Sequence, residues 1–340
     1  MERRRDPVER ADDGSSDLYD VSTWEPRSTV DLLAYALYNG VSYGLQTIVL
    51  LVAAVITLAL LVQPAVLVLE DPLLGAFFGL SIVPAALLAA FIWRTDITSE
   101  EPLTLLVATF VLAILFATFA ALINSVMRPR FQTLSLIGPV LFFYLIVGPV
   151  EEAVKLLAVR VFAYRSDTFD AVVDGAVYGA VAGLGFAAIE NAIYISGTVA
   201  EAEAGLFAAA TGITTVRALA GPGHVIYSAI AGYYLGLAKF NPQHAGPIVA
   251  KGLLVAAFVH ATYNTTVGIV PGIAAELTAL GPDAALVSYM IVFDAAVGYY
   301  LYRKIARYRR RYRDAEADVP DSPSPELTEF DPPRRRRWER

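Results

Sequence analysis

Residues 148–191 read GPVEEAVKLLAVRVFAYRSDTFDAVVDGAVYGAVAGLGFAAIEN. This stretch sets Glu151, Glu152, Lys155, Asp170, Asp174 and Glu190 into sequence that otherwise has the apolar character of membrane-spanning helix. A charge at the centre of a bilayer costs from about 3 kcal/mol upward, so carboxylates held there need partners, a cation or water. The five acidic residues are therefore expected to belong to an active centre.

Composition sets the class. The 340 residues are 56% hydrophobic and 17% charged, with a mean hydropathy of +0.54, above the apolar share of soluble domains. The chain is expected to be all-α, a polytopic bundle of transmembrane helices. Cysteine is absent, which excludes a disulfide framework and a thiolate nucleophile or metal ligand. Any metal must be bound by histidine and carboxylate.

About 20 apolar residues are needed to cross the hydrocarbon layer, and eight such runs are found outward from the quoted stretch. They are Leu45–Leu69, Leu73–Trp93, Leu103–Met127, Leu134–Phe162, Val172–Ile195, Pro222–Phe240, Ile248–Val270 and Ala284–Tyr302. Val30–Gly44 is amphipathic and suits the membrane surface. Ala204–Ala220, interrupted by Gly205, Gly212 and Arg217, suits a re-entrant or interfacial helix. Residues 1–30 and 314–340 are expected to be disordered tails, with the transmembrane domain over 31–313 and its functional core over 148–270. The N-terminal tail has no apolar run that would mark a signal peptide.

Loop arginines and lysines orient the bundle. The tails, Arg94, the Arg160–Arg165 loop and the Lys239–Lys251 loop fall on one side, with Arg128 and Arg130 as exceptions. Both termini are thus expected in the cytoplasm of a multi-pass cell-membrane protein. The terminal RRRRWER is a short charged tail, and no nucleic-acid partner is expected.

The chemistry falls in the fourth to seventh spans. Glu151 and Glu152 are neighbours, so their side chains point about 100° apart. Lys155 lies one turn from Glu151, and one carboxylate of the pair can meet it while the other faces a cavity. Gly175, Gly179 and Gly183 recur every four residues, which clears one helix stripe for close approach of a neighbour. Glu190 and Asn191 then lie deep in the same span. Of three histidines, His224 and His260 lie within apolar runs, with Asn264 one turn after His260. His244 falls in a polar loop and is expected to be solvated.

Two imidazoles and a carboxylate form a common open zinc site, and a further glutamate can serve as general base. The residues support a set in which Glu190, His224 and His260 hold zinc or orient water. Glu151 or Glu152 then acts as base, and Lys155, Asn191 and Asn264 support them.

Four motifs in order resemble the PrsW family of intramembrane proteases, relatives of the CAAX prenyl endopeptidase and bacteriocin-processing superfamily. They are EExxK (Glu151, Glu152, Lys155), FxxxEN (Phe186, Glu190, Asn191), His224 before Gly232-Tyr233-x-Leu235-Gly236, and HxxxN (His260, Asn264). The resemblance implies an endopeptidase acting on membrane-anchored protein substrates, with Glu151, Glu152 and His260 catalytic. It leaves two mechanisms open, a metal-bound water or a water activated by glutamate and histidine without metal. The alternative from another class is a catalytically silent scaffold or small-solute carrier using the same polar cavity.

Overall fold

In a computed structural model, the described residues are 15, 17–19, 25–97, 101–202 and 205–317. The expected tails over 1–30 and 314–340 fall largely outside them. Among the described residues the regular structure is helical, with no strand: α1 (Thr29–Glu70), α2 (Pro72–Arg94), α3 (Leu103–Gln132), α4 (Ile137–Phe142), α5 (Gly148–Val161), α6 (Val172–Ala200), α7 (Leu206–Lys239), α8 (Ala245–Thr266), α9 (Val270–Leu277) and α10 (Pro282–Ala317). Two compact units are present, Met1–Leu58 and Ala59–Arg340, and the second holds the helix packing, the site and the cavities described below.

Among the described residues, six helices are long and apolar enough to cross a membrane: α1, α2, α3, α6, Pro242–Thr266 and α10. The protein is an all-α, multi-pass membrane protein. The two remaining expected spans have a different construction. The fourth joins α4 and α5 through a π-helical turn, Phe143–Val147, in which Gly148 N–H reaches back to Phe143 O. Pro149 follows at the start of α5; it has no N–H to continue the regular ladder, so the backbone widens just ahead of the paired glutamates. The sixth lies in α7, which is continuous from Leu206 to Lys239. Ala204–Ala220 is therefore no separate re-entrant piece; from Leu206 on it is the first half of this helix. Val30–Gly44 is likewise continuous with the first span within α1.

At the centre, α6 and α7 lie against each other along most of their length. The glycine stripe explains how. A Cβ on Gly175, Gly179 or Gly183 would fall within 2.2–2.3 Å of a backbone oxygen of α7, on Gly232, Ser228 and His224 respectively. Only glycine lets the two backbones approach this far. A second close approach joins α5 to α8, where a Cβ on Gly148 would lie 2.5 Å from Ala257 O. The two contacts draw four helices around one polar interior, while Val177, Tyr178 and Ile230 are among the residues of the apolar core beside it.

Candidate active site

Glu152 is fully enclosed and its carboxylate is fully engaged. Oε1 accepts from Lys155 Nζ at 2.7 Å and from His260 Nδ1 at 2.9 Å; Oε2 accepts from Ser228 Oγ at 3.2 Å. Lys155 thus pairs with Glu152 at i+3, not with Glu151 at i+4. Its ammonium also lies 3.0 Å from His224 Nδ1 and 4.2 Å above the ring of Phe186. A buried lysine, two histidines and two helix pairs are thereby tied through one carboxylate.

Glu151 points the other way, onto a cavity of about 680 Å³ whose polar lining includes Asn124, Glu190, Arg217, His224, His260 and Asn264. Asn124 Nδ2 donates to Glu151 Oε1 at 3.0 Å. Glu151 Oε2 is buried and has no hydrogen-bond partner among the described residues. It faces His260 Nε2 at 3.7 Å. Because Nδ1 of that ring donates to Glu152, Nε2 of the neutral imidazole is an acceptor. Two buried acceptors facing each other require a cation or a proton between them.

His224 completes the group. Its ring stands edge-on to that of His260, with centroids 5.2 Å apart, and donor atoms of Glu151, His224 and His260 all lie within 4.8 Å of one another. Two imidazole nitrogens and a carboxylate oxygen are the donors zinc takes in open catalytic sites. The residues present fit such an ion once His224 frees one ring nitrogen from Lys155 or Glu190, and the Glu151 oxygen without a hydrogen-bond partner is where its charge would be met.

Glu190 stands at the edge of this set. Its Oε2 accepts from His224 Nε2 at 2.8 Å and from Arg217 Nη2 at 2.5 Å. Asn191 lies behind, where Oδ1 accepts from Arg217 Nε at 2.8 Å and Nδ2 donates to Ser81 O at 3.1 Å. Asn191 therefore aims the guanidinium and does not line the cavity. Asn264, one turn after His260, does line it.

Two expectations change. Asp170 and Asp174 are not part of the centre: Asp174 Oδ2 accepts from the backbone N–H groups of Asp170 and Ala171, both at 2.8 Å, and closes the N-terminal end of α6. Sixteen residues separate it from Glu190, roughly 24 Å along the helix. Arg217 and Asn124, in contrast, belong to the site and were not singled out from sequence. Arg217 reads there only as a break in an apolar run, and Asn124 as a polar residue near a helix end. The intramembrane charge of Arg217 was the signal available. His244 is exposed in the short turn before α8, as expected.

With the geometry established, the chain can be set beside known proteins. The family model described as PrsW family intramembrane metalloprotease matches residues 101–299, a wider stretch than the 148–270 that carries the motifs. Protease PrsW of Geobacillus kaustophilus is 28% identical over 186 residues, 54% of this chain and 76% of the relative. Protease PrsW of Halalkalibacterium halodurans is also 28% identical, over 54% of this chain and 80% of the relative. Protease PrsW of Bacillus subtilis is 28% identical over 193 residues, 56% of this chain and 81% of the relative. No solved structure matches the chain.

Proposed function

The chain belongs to the PrsW family of intramembrane proteases and is a membrane peptidase, and from that premise we propose that it is a metallo-endopeptidase cleaving membrane-anchored proteins inside the cavity that Glu151 faces. The observation that carries the reading is the pair of buried atoms Glu151 Oε2 and His260 Nε2, 3.7 Å apart, with no hydrogen-bond partner for Oε2 among the described residues. Glu151, His224 and His260 are the residues that would hold zinc. The ion, when bound, would polarise the scissile carbonyl as a Lewis acid.

The chain's own groups supply the rest. Glu152 fixes the His260 ring so that Nε2 faces the cavity, and Asn124 turns Glu151 so that Oε2 does the same; partners of this kind set ligand orientation and basicity. Glu190 is the other carboxylate on the cavity wall, and it takes the proton of the attacking water and returns it to the leaving amine. Arg217 holds Glu190 in place. Asn264 offers an amide N–H to the oxygen that gains charge at the carbonyl.

This reading differs from the sequence expectation in exchanging Glu151 and Glu190: the former joins the histidines, the latter handles protons. The protein works in the cell membrane with both termini in the cytoplasm, a placement supported by the arginine-rich ends. The test is cleavage of a single-span membrane protein in reconstituted vesicles. Glu190→Gln should lose roughly 10²–10⁴-fold in rate per folded molecule, the usual cost of losing a general base. Cleavage at the unmodified rate would remove Glu190 from the mechanism.

A further inference from the structure

A second cavity, about 290 Å³, lies between α2, α7 and α10, apart from the catalytic residues. Its wall is apolar, formed by residues such as Phe91, Ile92, Leu301 and Ile305, and arginines 309, 310 and 313 complete its lining. Gly298, Tyr302, Ile305, Arg309 and Arg313 recur at steps of three or four and so share one face of α10. That face passes from apolar to cationic as the helix proceeds.

The charge is one-sided. Between 303 and 314, α10 carries Arg303, Lys304, Arg307, Arg309, Arg310, Arg311 and Arg313 against a single acid, Asp314. Arg309 Nε is sealed from solvent yet has no acceptor among the described residues. Buried donors of this kind ordinarily have a partner, and here the described residues supply none.

We propose that this groove binds one anionic phospholipid, its acyl chain along the apolar wall and its phosphate against Arg309 and Arg313. A small soluble anion would meet the arginines but leave the apolar wall uncovered. A zwitterionic lipid would cover the wall but bring a second, positive headgroup charge to an already cationic mouth. A phospholipid of net negative charge satisfies both ends, and basic pockets between membrane helices bind such headgroups.

The test uses the full-length protein in detergent, exposed to phosphatidylglycerol or phosphatidylcholine with the same acyl chains, with retained lipid counted by native mass spectrometry. The expected result is a one-to-one phosphatidylglycerol adduct that survives activation at least tenfold better than the phosphatidylcholine adduct. R309Q/R313Q should abolish that preference. R303Q/R307Q removes the same charge but outside the groove, where both side chains line a separate arginine surface, and should retain it. Gly298→Leu should also displace the lipid with every arginine in place, since even its Cβ would lie 3.4 Å from Ile226 Cδ1 and the rest of the side chain enters the groove. Equal retention of the two lipids, equal loss in both arginine pairs, or full competition by soluble glycerol phosphate would each overturn the proposal. Should R309Q/R313Q fail to fold, the lipid comparison on the unmodified protein and Gly298→Leu decide it.

Discussion

His260 Nδ1 lies 2.9 Å from Glu152 Oε1, and the same oxygen accepts from Lys155 Nζ at 2.7 Å. One buried carboxylate therefore sets both the histidine's ring and the lysine's charge. It separates two adjacent glutamates into different roles, Glu152 as the support and Glu151 as the group that meets the cavity.

Glutamine substitution distinguishes them. Glu151→Gln should hold folded yield, because Oε2 has no partner to lose, while cleavage falls at least a hundredfold. Glu152→Gln should instead lower yield as well as activity, since it leaves Lys155, itself fully buried, without its counter-charge; breaking one half of a buried pair costs about 3–5 kcal/mol. Lys155→Met should be costly for the same reason. The double variant Glu152→Gln/Lys155→Met should regain part of the thermal stability that either single change loses. Additive losses would mean that the pair is not coupled.

Metal content gives a readout that does not depend on cleavage. Protein purified without chelator should carry close to one zinc per chain by elemental mass spectrometry, and Glu151→Gln, His224→Ala and His260→Ala should each lower that occupancy at least tenfold. Glu190→Gln and His244→Ala should leave it unchanged. A zinc-free, fully active protein would point to the metal-independent route.

The glycine stripe can be tested by single methyl groups. Gly179→Ala places a Cβ 2.3 Å from Ser228 O, and with backbone on the far side, α6 and α7 must part. A loss of about 1–3 kcal/mol is expected, the usual cost of overpacking, with lowered activity because His224 and Ser228 ride on α7. Gly197→Ala and Gly212→Ala, with nothing within 4 Å of the added Cβ, should not lose stability. Equal effects at all three positions would show that the contact is not what holds the pair.

Outside the spans, Glu101 gives a pH signature. It is 5% exposed, receives a hydrogen bond from the Tyr178 hydroxyl, and burial pushes its carboxyl up to about 8. A carboxyl with a raised folded pKa binds more protons in the folded state, so its contribution is fully present at low pH and is lost as pH rises through about 8. Thermal stability should therefore decline between about pH 5 and 8, and Glu101→Gln should flatten that decline. A slope unchanged by the substitution would place the titration elsewhere.

The amino-acid order alone determined that this is a helical membrane protein, and it singled out Glu151, Glu152, Glu190, His224 and His260. Those properties are local: hydropathy over 20 residues, and ionisable groups within it that a bilayer tolerates only for a reason. The four-residue glycine repeat also announced a close helix contact, though not with which partner. Tertiary structure alone decided which glutamate faces the cavity, because successive side chains diverge by 100° and only the placement of α7 and α8 around α5 tells inside from outside. It also brought Asn124, which nothing in its helix's sequence marks as chemical, and Arg217, marked only by its charge in an apolar run, into the site, and left Asp174 about 24 Å from Glu190 on the same helix. Helical periodicity fixes a residue's height and relative angle, whereas the neighbour it meets at that height depends on contacts between residues as far apart as His260 and Glu152.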